Sequence, residues 1–231
     1  MTLDTLLFDF DGLICDTENA ARESWQQTYR EFGLELPAGL WARMRGRHDG
    51  ELLAADDLGE RLGRAMTAQE LDHRRALKSE LAHAQPLLPG VAELLGEADG
   101  RGLGIALVSS AASSWVESHL RRLGVREHFR AVVTGDLPLP NKPAPDLYLH
   151  ALGELGVRAD TAVAFEDSVP GVTAAVAASL RCVAVPGAAA AAAAADPSAF
   201  AGAAAVVPTL ESLSLDSLER LFDDEFRSTA A

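Results

Sequence analysis

Phe8-Asp9-Phe10-Asp11-Gly12-Leu13-Ile14-Cys15-Asp16-Thr17-Glu18 is the stretch on which the reading of this chain turns. It follows Thr5–Phe8 (TLLF) and ends that apolar run in two carboxylates one residue apart, then a glycine. A run that is apolar at every position, instead of at alternate ones, is expected of a strand covered on both faces. In open parallel sheets, ligands gather at the carboxyl ends of the strands. Gly12 lets the chain turn there, so Asp9 and Asp11 can converge on one centre. Two close carboxylates repel unless a cation or a proton lies between them. Taken alone, this Asp-x-Asp-Gly fits a solvated acidic turn as well as a functional site, with calcium and sugar sites also in play.

Five further runs of the same kind are read as strands: Gly104–Val108, Ala131–Thr134, Thr161–Phe165, Arg181–Val185 and Ala204–Val207. Helical patterns separate them at Val91–Glu97, Ser113–Leu123, Pro145–Leu155, Pro170–Ser179 and Leu210–Phe226, and Gly102, Gly124 and Gly156 stand where helices should stop. Strand and helix alternating through short links predict an α/β fold, a doubly wound parallel sheet. The segment Glu18–His83 breaks the rhythm. It reads as helices only (Glu18–Phe32, Pro37–Met44, Gly50–Asp57, Thr67–His83), an all-helical insertion. The expected organisation is a core of residues 1–16 and 84–231 with a helical domain at 17–83. The low-complexity run Ala188–Ala195 carries no assigned chemistry.

Three segments bear on the acidic pair, each at the end of its own expected strand. Ser109 and Ser110 supply hydroxyls ahead of a helix whose first N–H groups are free. Asn141-Lys142-Pro143-Ala144-Pro145-Asp146 sets a lysine between prolines, with Pro145 suited to a first helical turn. Phe165-Glu166-Asp167-Ser168-Val169-Pro170-Gly171 ends a strand in a second acidic pair. Two carboxylates beside the first pair would form a hard oxygen site, suited to magnesium more than to zinc.

In order and spacing, these four segments resemble the haloacid dehalogenase-like superfamily of phosphohydrolases, in the branch whose helical cap is inserted after the first motif. The resemblance implies that Asp9 attacks the phosphorus of a phosphomonoester and that Asp11 is the acid–base partner. It implies Mg2+ held by the Asp9 carboxylate, the Asp11 backbone carbonyl and Asp167, with Glu166 a ligand or the support of one. Ser109 and Lys142 would hold the transferring phosphoryl group, and Ser110 and Thr17 would contact the substrate. Asp16-Thr17-Glu18 would be the hinge into a cap whose closure expels water. Sugar phosphomutases of this branch carry a histidine shortly after the hinge, where this chain has Asn19-Ala20-Ala21-Arg22. That favours water over a sugar as the acceptor. Arg47 and His48, in the cationic stretch Arg43–His48, are either a solvated helix end or contacts to the leaving group. Arg74, Arg75 and Lys78 could face the cleft, but are read as an exposed helix side in preference. A receiver-like phosphoacceptor switch also combines acids, a hydroxyl and Lys-Pro, but would end before Glu166 and lack the insertion.

The whole chain sets the outer limits. Its 231 residues suffice for one core with an accessory domain. A formal net charge of −14 disfavours nucleic acid and anionic membrane surfaces, and means that an anionic substrate needs a locally cationic site. No apolar run approaches the ~20 residues of a membrane span. Met1-Thr2-Leu3-Asp4 does not read as a secretory signal, so the expected setting is cytoplasmic. Cys15 and Cys182 are read as two buried free thiols. The expected partner is a small phosphorylated metabolite, met by a monomer or weak homodimer.

Overall fold

A computed structural model describes residues 3–44, 50–187 and 200–220 of the chain. All residues of β1 (Thr5–Phe8) are buried, as its unbroken apolar character requires. It lies in a sheet with β2 (Gly104–Val108), β3 (Ala131–Val133), β4 (Ala162–Glu166), β5 (Arg181–Ala184) and the short β6 (Ala205–Val206). The order is β3-β2-β1-β4-β5-β6 and every pairing is parallel. The chain grows outward from β1 on one side and restarts beside it with β4 on the other. A crevice therefore opens at the carboxyl ends of these two neighbours. Register places Phe8 opposite Phe165, whose rings stack at 4.9 Å.

The connections are α5 (Val91–Gly100), α6 (Ser113–Arg122), α7 (Asp146–Leu155) and α8 (Val169–Ala177). Leu147, Tyr148, Ala151 and Leu152 of α7 recur at helical spacing and pack into one core with Val108, Val133 and Ala164 of the sheet. Gly156 ends α7 in the left-handed region at φ 68°, which a Cβ would disfavour. The reading of one helix over Leu210–Phe226 is corrected. A single 3₁₀ turn spans Leu210–Ser212, and Leu213 is extended. Ser214 and Ser217 then bond each other's backbone N–H groups to open a separate helix at residues 215–220. Serines that satisfy the first N–H groups of a helix also end whatever precedes it. Residues from 221 lie outside the described part, as does Ala188–Ala195.

The chain divides into two compact units, one of residues up to Ile14 and from Leu87 on, the other Cys15–Pro86. Among the described residues, the regular elements of the second unit are all helices: α1 (Thr17–Glu31), α2 (Ala38–Met44), α3 (Gly50–Leu62) and α4 (Ala68–His83). Its core gathers Trp25, Tyr29, Leu40, Met44, Ala54 and Leu58. Thr67 and Glu70 form a reciprocal capping box at the start of α4. Cys15 and Cys182 are both buried, and neither forms a disulfide. Among the described residues no helix is long and apolar enough to cross a membrane.

Arg74 departs from the expected exposed face, being only 2% exposed. Its guanidinium lies 4.8 Å from the Trp25 ring centroid and bonds Glu51, which also accepts from Lys78 at 2.9 Å. Aromatic stacking and a carboxylate together make burial of the guanidinium tolerable. Arg75, by contrast, is exposed beside Asp72. Burial raises the Glu51 carboxyl, but the bonds from Arg74 and Lys78 outweigh it and bring Glu51 down to about 2 from an ordinary 4.5. A depressed carboxyl stabilises the fold above its unfolded value and loses that contribution as pH falls towards the folded one. Glu51→Gln should therefore cost about 1 kcal/mol near neutral pH, the partial exposure of Glu51 being allowed for. In thermal melts followed by circular dichroism, the gap to the unmutated protein should hold above pH 6 and close between about pH 4.5 and pH 2.

Candidate active site

β1 continues its ladder one residue beyond the strand, where the Asp9 N–H donates to the Phe165 carbonyl at 3.0 Å. This bond holds Asp9 at the tip of β1, against the tip of β4, which carries Glu166 and Asp167. The turn that follows is closed by Ile14 N–H donating to the Phe10 carbonyl at 2.9 Å. Gly12 makes that turn at φ 82°, and a Cβ there would stand 2.3 Å from Asp167 Oδ2. So Gly12 serves twice: it adopts the left-handed backbone and admits a carboxylate against its α-carbon.

Lys142 reaches this place from the loop ahead of α7. Its ammonium donates to Asp9 Oδ1 at 2.6 Å and to the Val108 carbonyl at 2.7 Å, and meets Glu166 Oε1 at 2.6 Å. Three donors thus find three acceptors. Tyr148 adds a hydroxyl bond to Glu166 Oε1 at 2.5 Å and sets its ring 5.1 Å from the Lys142 ammonium. Burial alone would favour the neutral amine, yet Asp9 and Glu166 hold Lys142 above its ordinary value. Burial pushes the Asp9 carboxyl up to about 8. Lys142 pulls against this, while Glu166 and Asp11 push further.

Asp9, Glu166 and Asp167 each offer a carboxylate oxygen, and these oxygens lie within 4.8 Å of one another. If all three are ionised, Lys142 cancels one charge and two negative charges remain among buried groups. Glu166 Oε2 is buried with no hydrogen-bond partner among the described residues. Hard oxygen donors with an uncancelled double charge fit a small divalent cation such as magnesium.

Ser109 is buried at the end of β2, where its hydroxyl accepts from the Ala111 N–H at 3.0 Å. Ser110 is exposed one residue on, and Asp11 is half-buried. Asp11 Oδ1 accepts from the Trp115 indole N–H at 3.0 Å. Thr17 belongs to the helical unit, as the buried first residue of α1. Arg47 and His48 lie outside the described residues. Sequence reasoning passed over Tyr148 and Trp115. Tyr148 stands three residues after Pro145 on the buried face of α7, a position that reads as ordinary core. Trp115 is the third residue of α6, and no spacing rule pairs it with Asp11, 104 residues away.

Residues 6–185 match a family model described as haloacid dehalogenase-like hydrolase. The chain is 38% identical to the "Putative phosphatase YhcW" of Bacillus subtilis strain 168, over 78% of this chain and 82% of that protein. It is 31% identical to the fructose-1-phosphate phosphatase YqaB of Escherichia coli K12, over 78% of this chain and 95% of that one. A crystal structure of a "putative beta-phosphoglucomutase" from Thermotoga maritima superposes with a TM-score of 0.79 at 28% identity, covering 94% of this chain and 99% of that chain.

Glu166 offers a sharp test of this packing. A Cβ on Gly171, in the first turn of α8, would stand 1.8 Å from Glu166 Oε2. Gly→Ala within a helix ordinarily stabilises by up to ~1 kcal/mol. Here Gly171→Ala should instead destabilise by about 1–3 kcal/mol, since the methyl and the carboxylate claim the same space. Urea denaturation of the two proteins measures the sign.

Proposed function

Because this chain belongs to the haloacid dehalogenase-like hydrolase family and is a phosphatase, we propose that it hydrolyses a small phosphomonoester, a sugar phosphate or similar metabolite, through an aspartyl-phosphate on Asp9. The observation that carries this reading is the buried contact of Asp9 with Lys142 beside Glu166 and Asp167. In the first step an Asp9 oxygen bonds to phosphorus as the ester P–O bond breaks, and Asp11 gives its proton to the departing oxygen. In the second step Asp11 takes a proton from the water whose oxygen attacks phosphorus. The bond to Asp9 then breaks and inorganic phosphate leaves. Splitting one difficult displacement in two, with one residue alternating as acid and base, is covalent catalysis.

Lys142 orients Asp9 and, with Ser109 and Ser110, provides positive charge and hydrogen bonds for the phosphoryl oxygens. The Asp9 carboxylate, the Asp11 carbonyl, Asp167 and Glu166 would hold Mg2+, which when bound supplies positive charge against the repulsion between Asp9 and a dianionic phosphate. In an acidic chain, one lysine and one metal supply the cationic spot that a phosphate requires. Thr17 is retained as a substrate contact, and Arg47 and His48 as contacts to the leaving group. The likeness to a phosphoglucomutase-named structure keeps transfer to a second sugar hydroxyl as the rival reading. Asn19-Ala20-Ala21-Arg22, which lacks histidine, supports water.

Inorganic phosphate release is to be measured over sugar phosphates, phosphoglycolate and nucleotides with magnesium present. We expect release from a sugar phosphate, loss of release on chelation, recovery on adding magnesium, and a fall of ~10³-fold or more in Asp9→Asn. Formation of a sugar bisphosphate without free phosphate would establish the mutase instead. Alanine at both Arg47 and His48 should lower kcat/KM on the preferred substrate by about tenfold while sparing 4-nitrophenyl phosphate. Equal values on both substrates would remove these residues from the leaving-group site.

A further inference from the structure

Asp11 immediately precedes the turn at Gly12 and is half-buried. An indole is among its partners. Trp115 Nε1 donates to Asp11 Oδ1 at 3.0 Å, within the same compact unit. We propose that Trp115 is a positioning residue for the acid–base step, holding Asp11 Oδ1 as an acceptor, so that Oδ2 is the oxygen that carries the proton.

The chemistry of the donor decides which oxygen does the work. An indole N–H can give a hydrogen bond and cannot receive one. Whichever form Asp11 takes, the oxygen facing Trp115 must offer a lone pair. A hydroxyl oxygen is a poorer acceptor than a carboxylate or carbonyl oxygen, so a proton on Oδ1 would weaken this bond and Oδ2 is the favoured seat of the proton. Carboxylate rotation, which would exchange the two oxygens, is opposed by the same bond.

The indole can do this because it is itself fixed. Ser113 at the start of α6 donates its backbone N–H to Asp136 Oδ2 at 2.8 Å, which anchors the helix end that carries Trp115. The Trp115 ring meets the ring of the fully buried His119 edge to face at 4.5 Å. His119 in turn packs 5.7 Å from the ring of Phe10, the residue between Asp9 and Asp11. The acidic strand tip and the first turns of α6 thus grip each other twice, through Phe10 and through Asp11. Offset and edge-on aromatic pairs of this kind define a ring's orientation as well as its burial.

The inference rests on the acid–base role of Asp11 given above. In the first step, Oδ2–H passes its proton to the leaving oxygen as the P–O bond breaks and the Asp9–phosphorus bond forms. In the second, Oδ2 receives a proton from water as the water oxygen bonds to phosphorus and the Asp9–phosphorus bond breaks. 4-Nitrophenolate leaves without needing a proton, so with 4-nitrophenyl phosphate only the second step depends on Oδ2.

A single-turnover reaction with enzyme in excess therefore has two clocks, 4-nitrophenolate appearing and inorganic phosphate appearing. For Trp115→Phe we expect the first clock to stay within about twofold and the second to slow by about 10- to 100-fold, the range of a lost hydrogen bond to a charged group. Replacement of Trp115 by 3-benzothienylalanine, which keeps the bicyclic shape and lacks the N–H, should give the same result and answers for any misfolding of the phenylalanine variant. In an Asp11→Asn background, Trp115→Phe should change neither clock, since a merely structural role would slow that background as much as the unmutated one. Equal slowing of both clocks, no slowing of the second, or an undiminished effect in the Asp11→Asn background would overturn the assignment. If Asp11→Asn alone left the phosphate clock unchanged, the acid–base reading would fail first and Trp115 with it.

Discussion

One buried ammonium among three buried carboxylates is the constraint around which the rest is arranged. Lys142 satisfies Asp9, Glu166 and the Val108 carbonyl at once, and Asp167 stands within reach of the same centre. Charges taken out of water to this extent are costly unless their partners are close and well aimed. The parallel register supplies the aim: pairing Phe8 with Phe165 makes Asp9 and Glu166 neighbours on adjacent strand tips. Val108 ends the next strand over, so its carbonyl lies at the same edge of the sheet. With all three carboxylates ionised the arrangement leaves two negative charges without a counter-charge, and that residue of charge is the physical argument for a divalent cation.

Around this centre, absent side chains matter as much as present ones. Gly12 and Gly171 each occupy a place where a Cβ would collide with a site carboxylate, Asp167 in one case and Glu166 in the other. Gly12 also needs positive φ, whereas Gly171 lies in a regular helical turn and is required by space alone. The two glycines let acidic side chains be packed against backbone without separating them from one another. Tyr148 performs a complementary task by bonding Glu166 from the buried face of α7, so that one helix contributes both to the core and to the orientation of the site.

The parallel sheet was legible because fully buried strands write themselves as unbroken apolar runs. Thr5–Phe8, Gly104–Val108 and Arg181–Val185 coincide with observed strands to within a residue. Helix ends were legible where glycine stops them, as at Gly156. The span beginning at Leu210 was misread because apolar spacing continues across a break that Ser214 and Ser217 impose through their side chains. Arg74 was misread for a related reason. A single charged residue on a polar helix looks solvated until Trp25 and Glu51 arrive from other helices.

What the sequence by itself determined is which reactive residue types stand at the strand ends. Asp9, Asp11, Ser109, Lys142, Glu166 and Asp167 each follow or precede a recognisable element, so their types and order could be read before any coordinates. Only the tertiary structure decided which of them share a hydrogen bond, which oxygen each presents, and that Tyr148 and Trp115 belong among them. The physical reason is range. Strand and helix patterns arise from neighbours a few residues apart, whereas Lys142 meets Asp9 across 133 positions and Trp115 meets Asp11 across 104. Contacts at such separations are set by sheet order and register, and no local periodicity encodes them.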